Sequence, residues 1–172
     1  MRMNRTDGQT RGLPIVRVRL ETDRVIGQEP VDTQDKAVEY IIREFADLDR
    51  EVFVILNLDT GCRPINLNIV SMGTLNQTMV HPREVFKASI LSNANSVICI
   101  HNHPGGDVTP SDQDIEVTNR LMECGKILGI EVADHLIIGG NSGEYFSFQE
   151  STMQNMKSMG MQQQGQAAEK QL

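Results

Sequence analysis

Val97-Ile-Cys-Ile-His101-Asn-His103-Pro-Gly-Gly-Asp-Val-Thr-Pro-Ser111-Asp-Gln-Asp114 joins a short apolar run to a glycine- and proline-bearing loop and then to a helix start. The run from Val97 to His101 predicts a buried strand that feeds directly into the loop Asn102–Pro110. Successive strand residues point to opposite faces, so His101 and His103 share one side where the strand ends. A helix is expected from about Asp112 to Leu128, stopped by Gly129.

On the C-terminal side, Val132–Ile138 predicts another strand, and Tyr145–Phe148 a last short one. On the N-terminal side, His81-Pro82 opens a helix, with proline in the tolerated first turn and Val85, Phe86, Ala88, Ile90 and Leu91 as its apolar content. Before it, Glu51-Val-Phe-Val-Ile-Leu-Asn-Leu58 is a nearly continuous apolar run, the pattern of a strand covered on both faces. The turn Asp59–Arg63 leads to a return strand in which Ile65, Leu67 and Ile69 alternate with Asn66 and Asn68. Residues 33–48 read as a helix with Ala37, Val38, Ile41, Ile42, Phe45 and Leu48 on one stripe, capped by Asp32 or Thr33. Ile15–Leu20 alternates apolar with arginine and predicts a half-buried edge strand. Alternating strands and helices argue an α/β layered domain.

The ends differ in composition. Residues 1–12 are polar and read as a loose arm, and residues 151–172 are rich in methionine and glutamine and read as a disordered tail. Met153, Met156 and Met159 recur there at helical spacing, which also suits a partner-binding amphipathic helix. The domain proper is expected over 13–150.

The 172 residues are enough to bury a core without a metal staple. A formal charge of −7 argues against a chain-wide phosphate-binding surface. No apolar run approaches the ~20 residues of a spanning helix, and the start lacks a signal-peptide core, so a cytoplasmic chain without membrane contact is expected. Cys62, Cys99 and Cys124 are widely spaced and odd in number, which disfavours a disulfide framework.

The chemistry concentrates in the opening stretch. Two imidazoles on one strand face and the Asp114 carboxylate in the next helix's first turn can converge on one ion, with Zn–N distances of about 2.0–2.1 Å. Three protein ligands leave a fourth position open, as in catalytic zinc sites, where a bound water reaches a pKa of about 7. Each piece also has a plain structural account. Ser111-x-x-Asp114 is a capping box, the prolines and glycines suit turns, and a lone His-x-His is a weak signal. Their concentration in one short stretch favours a site. Glu51 adds a charge at the start of an otherwise apolar strand, where packing gives it no purpose.

His101-x-His103-Pro followed by Ser111-x-x-Asp114, with a glutamate upstream, resembles the JAMM motif of the MPN+/JAB metalloproteases. Gly73-Thr-Leu, Val80-His-Pro-Arg-Glu84, Pro110-Ser and Asp134-His-Leu-Ile-Ile-Gly139 further resemble the RadC branch of that superfamily. The resemblance covers about residues 46–150, and 13–45 resembles the short leader of some RadC-like proteins. Gly105 departs from the serine usual in RadC loops, at a position that bears no ligand.

The resemblance implies a JAB/MPN fold, related to the cytidine deaminases, with a mixed sheet and helices on both faces. It implies one Zn2+ held by His101, His103 and Asp114. It further implies Glu51 as general base and Ser111 as hydrogen-bond donor to the oxyanion, in a metallopeptidase acting on an amide or isopeptide bond of an unidentified protein or peptide. Glu84 and Glu116 compete with Glu51 on residue type alone. Glu84 has a role at a helix start, and Glu116 lies two positions from Asp114 and points elsewhere. His135 and Cys99 read as buried structural residues, and His81 as part of a helix start.

Two further functions stand beside hydrolysis. One is a DNA-repair or mobile-element accessory protein acting by binding, helped by the arginines Arg2, Arg5 and Arg11 and opposed by the acidic total. The other is a partner-binding scaffold with structural zinc, for which neither Glu51 nor Ser111 would be needed.

Overall fold

The computed structural model describes residues 17–25, 32–45, 48–73, 80–140 and 143–153. The arm 1–12 with Arg2, Arg5 and Arg11, the segment 74–79 and the tail from 154 onward lie outside the described residues.

The chain runs α1 (Gln34–Phe45), β1 (Val52–Leu58), β2 (Pro64–Met72), α2 (Pro82–Leu91), β3 (Ser96–His103), α3 (Asp112–Leu128), β4 (Glu131–Gly139) and β5 (Glu144–Ser147), followed by helical residues 148–153. The strands form one mixed sheet in the order β2-β1-β3-β4-β5. Only β3 and β4 pair in parallel, because the α3 crossover brings the chain back to the same end; the other pairs are antiparallel.

Every residue of β1 is buried, as its nearly continuous apolar run predicts for a central strand covered on both sides. Val52, Val54, Leu56 and Leu58 face α1, where the stripe Ala37, Ile41 and Phe45 meets them together with Ile98 and Ile100. Phe53 and Ile55 face the other way, onto a second core with Val97 and Cys99 of β3, Val85 and Phe86 of α2, and Leu121 of α3. Helices therefore cover both faces.

The expected caps form. Thr33 Oγ1 accepts from Lys36 N at 3.4 Å, His81 Nδ1 accepts from Arg83 N at 3.3 Å, and Gly129 ends α3 at φ 70°. Gly125 lets the last turn of α3 lie against the chain entering β4, since a Cβ there would stand 2.4 Å from the Ile130 carbonyl oxygen.

One expectation fails. Ile15–Leu20 is no strand over its described part: residues 17–25 have no regular structure and are exposed, Val18 at 60%. Its described part pairs with no strand of the sheet, and without a partner a strand is not stable. Ile15 and Val16 lie outside the described residues. The expected return strand forms as β2, antiparallel to β1, with uneven burial along its length. Ile65 and Ile69 are exposed, while Leu67 packs on the α1 core and Val70 on the opposite core. A register shift opposite Phe53/Val54 turns the strand, so a period of two does not hold along its whole length.

Candidate metal centre

Three backbone features carry the site: the end of β3, the start of β1 and the first turns of α3. In the antiparallel β1–β3 pair Phe53 faces His101, so the chain before β1 lies beside the chain leaving β3. Glu51, His101, His103, Ser111 and Asp114 all line one cleft of about 410 Å³. The five residues singled out from the sequence are thus brought together.

Among the described residues, His101, His103 and Asp114 form the group whose ligand atoms all lie within 4.8 Å of one another. His101 Nε2 is 3.0 Å from His103 Nε2 and 3.2 Å from Asp114 Oδ1, and His103 Nε2 is 3.7 Å from Asp114 Oδ2. Ligands about 2.0–2.1 Å from a shared tetrahedral ion stand roughly 3.3 Å apart, so the spacing suits zinc.

Donor chemistry agrees. His103 Nδ1–H donates to the Asp107 carbonyl at 2.6 Å, and a carbonyl can only accept, so in the neutral imidazole Nε2 bears the lone pair that faces the cluster. Backbone partners of this kind fix the orientation of metal-binding imidazoles. The residues present therefore fit a divalent metal. Cys99, fully buried in the apolar core, is not part of the cluster, and burial pushes its thiol pKa well up.

Asp114 is held by the capping box of α3. Ser111 Oγ accepts from Asp114 N at 3.2 Å, and Asp114 Oδ2 accepts from Ser111 N at 2.8 Å and from Ser111 Oγ–H at 2.6 Å. The cap that starts the helix thus also aims the carboxylate, with Oδ1 turned toward His101. Burial opposes the Asp114 charge, but the neighbouring His101 and His103 imidazoles and the Ser111 hydroxyl outweigh it and hold the carboxyl far below the usual carboxylate range. The Asp114 carboxylate in turn raises the His103 pKa, against the effect of burial and with help from the Asp107 carbonyl.

Glu51 is half-buried at the cleft wall, one residue before β1. Glu84 instead pairs with Lys87 and Glu116 with Arg120, both in exposed ion pairs away from the cleft lining. Neither competitor reaches the cleft. His81 caps α2, as its sequence context suggests.

Sequence reasoning passed over Asn102 and Thr118. Asn102 is 1% exposed; its Oδ1 accepts from Val52 N at 2.7 Å and its Nδ2 donates to Arg50 O at 3.0 Å, so it grips the backbone on either side of Glu51. The available signal was a polar residue between the two histidines of an apolar strand. Thr118 lies one turn after Asp114, on the face of α3 that meets the sheet, and its signal was only that spacing. His135, expected to be structural, is buried at 1% exposure with Nε2 2.9 Å from His101 Nδ1, so it touches the candidate ligand set.

Residues 31–153 match the family model described as the RadC-like JAB domain. The chain belongs to that family. Its mixed sheet with helices on both faces is the α/β arrangement expected of the JAB/MPN fold. This RadC-like domain is similar to a UPF0758 protein of Staphylococcus aureus, 49% identical over 123 residues, covering 72% of this chain and 55% of the relative. A UPF0758 protein of Geobacillus thermodenitrificans is 50% identical over 117 residues, 68% of this chain and 50% of the relative. The chain spans about half the length of the curated relatives it matches. Among the described residues no helix is long and apolar enough to cross a membrane.

Proposed function

We propose that this RadC-like JAB domain is a zinc-dependent hydrolase, acting on an amide or isopeptide bond in a protein or peptide. The observation that supports this most is a half-buried carboxylate, Glu51, lining the same cleft as His101, His103 and Asp114, a set of three that would leave the fourth position of a tetrahedral ion open. A structural zinc needs four protein ligands and no base, whereas a catalytic one needs an open position and a proton acceptor beside it.

When bound, zinc supplies Lewis-acid polarisation of a carbonyl and lowers the pKa of a bound water toward about 7. His101, His103 and Asp114 are the residues that would hold it. The Glu51 carboxylate takes up the proton of the attacking water at one of its oxygens and passes it to the leaving amine. Ser111 keeps Asp114 oriented through Oγ, and on rotating about χ1 its hydroxyl can donate to the oxygen that gains charge. Pro104, Val117 and Phe53 give the cleft apolar wall that limits water around the reacting bond.

Glu51→Gln tests the reading, because glutamine keeps the shape but cannot accept the proton. The variant should retain about one zinc per chain by elemental analysis and lose roughly 10²–10⁴-fold in hydrolysis of isopeptide-linked and linear fluorogenic peptides. Undiminished hydrolysis in Glu51→Gln refutes the base assignment. A wild-type chain that binds zinc and cleaves none of the panel favours the scaffold reading. DNA retardation that weakens steeply with salt and requires Arg2, Arg5 and Arg11 favours the nucleic-acid reading.

A further inference from the structure

His101 Nδ1 lies 2.9 Å from His135 Nε2, and His135 Nδ1 lies 2.6 Å from Thr118 Oγ1, which is itself 2.6 Å from the Asp114 carbonyl oxygen. The chain of contacts begins and ends on candidate metal ligands and passes through two residues that touch no substrate. Its hydrogen-bond directions can be read from one end. A carbonyl oxygen only accepts, and two oxygens approach to 2.6 Å only with a hydrogen between them, so Thr118 Oγ1–H donates to Asp114 O. The single hydroxyl proton is then used. Thr118 Oγ1 must accept from His135, which makes His135 the Nδ1–H tautomer with a lone pair on Nε2. That lone pair accepts from His101 Nδ1–H, and His101 Nε2 is left bare, facing His103 and Asp114.

We infer that Thr118 and His135 are positioning residues that fix the His101 tautomer and ring plane so that Nε2 presents its lone pair to the metal. The inference rests on the metal reading above and adds to it the source of the ligand's orientation. The surroundings suit the role. His135 is boxed between Phe148, stacked at 5.2 Å and 10°, and Phe53, tilted at 5.4 Å, while Phe53 also stacks on His101 at 5.9 Å and 12°. His135 is 1% exposed and Thr118 5% exposed, so solvent does not compete for these bonds. The backbone of His135 is fixed as well: its N–H donates to Asp134 Oδ1 at 2.7 Å, and the same carboxylate accepts from Ser147 Oγ and Gln149 N. Metal-bound histidines ordinarily donate their second N–H to a carbonyl, carboxylate or water. Here a second imidazole takes that place, and a threonine sets its polarity.

The test is made on the zinc-loaded full chain. Long-range ¹H–¹⁵N correlation spectra should show His135 neutral and protonated at Nδ1. Zinc affinity is then read by competition with a chelator. His135→Leu keeps the apolar packing between the two phenylalanines but offers no acceptor, and should weaken zinc binding about 10–100-fold. His135→Gln carries an acceptor at the Nε2 position and should recover most of that loss. Thr118→Val, which removes the hydroxyl with little change in shape, should weaken binding less than His135→Leu, and Thr118→Ser should restore it. If His135→Leu does not fold, the Val/Ser pair at Thr118 carries the test. An Nε2–H signal for His135, or wild-type affinity in both His135→Leu and Thr118→Val, overturns the inference. A wild-type chain that takes up no zinc overturns the metal reading itself. Normal uptake with unmoved variants overturns only the relay.

Discussion

Replacing Ser111 with alanine removes one oxygen that performs two tasks, and the two can be measured apart. Ser111 Oγ accepts from Asp114 N at 3.2 Å, which satisfies a free N–H of the first turn of α3; losing such a cap costs about 1 kcal/mol, within a range of roughly 0.5–2. The same oxygen donates to Asp114 Oδ2 at 2.6 Å. Asp114 Oδ2 keeps its bond from Ser111 N, and Ser111 is exposed, so water replaces part of what is lost. A total of about 1–2 kcal/mol follows, or roughly 2–8 °C of melting temperature at about 2–4 °C per kcal/mol for a domain of this size. The second task appears in zinc affinity. With one of its two tethers cut, the carboxylate gains rotamer freedom that must be lost again on binding metal, and support of this kind is worth about 10–100-fold in affinity. Thermal unfolding of the zinc-free chain measures the first effect, and chelator competition measures the second. Ser111→Thr retains the hydroxyl and should restore both. If Ser111→Ala loses stability but binds zinc as tightly as wild type, the cap does not aim the ligand. If Ser111→Thr falls as far as Ser111→Ala in both assays, the hydroxyl is not the acting group.

His101→Ala or Asp114→Ala should remove zinc from the purified chain, read by elemental analysis, because each deletes one of three converging ligands. Zinc affinity should fall as pH is lowered from 8 to 6, since protons compete for the imidazoles. The Asp114 carboxylate favours the protonated form of His103, so the competition begins above the ordinary histidine pKa and should give up to about a tenfold loss per pH unit per proton. Cys62 is exposed in the turn before β2 and should react with a thiol reagent in the native chain, whereas Cys99 should react only after unfolding; mass mapping of the labelled peptides decides. Gly125→Ala forces a Cβ to within 2.4 Å of the Ile130 carbonyl oxygen, and should destabilise by about 1–3 kcal/mol in thermal unfolding.

What was legible in the sequence was local. The limits of α3 follow from Ser111, Asp114 and Gly129, because a capping box and a left-handed glycine act within a few residues of themselves. The central position of β1 follows from its nearly continuous apolar run, and Glu51 drew notice as a charge at the start of that run. What was not legible depends on partners distant in sequence. Ile15–Leu20 has a strand's alternation, yet alternation does not supply a partner, and its described part pairs with none of the five strands. The two register shifts of β2, at Phe53/Val54 and at Asn57/Leu58, arise from its pairing with β1, which the sequence of β2 alone does not encode. His135 read as structural because its contact with His101 spans 34 positions and exists only once β4 lies parallel to β3.

That parallel pairing explains why one sheet face collects all the polar residues of the site. On β3 the odd-numbered residues Val97 and Cys99 face α2 and α3, and His101 and His103 continue the same face beyond the end of the apolar core. Cys99 pairs with His135 on β4, which sets the His135 ring on that face one pleat behind His101. On β1, Phe53 pairs with His101 as the last pair of that ladder, and Glu51, two residues earlier, lines the same cleft as His103. There the ladder stops, and the Asn102 side chain takes over by bonding Val52 N and Arg50 O from the opposite face. α3 then lays Asp114 and Thr118, one turn apart, onto the histidines, with Leu121 anchoring the next turn in the core. The candidate ligands and Glu51 thus emerge where the ends of three elements meet. The same packing that excludes water from the core beneath leaves their polar ends at the mouth of the cleft.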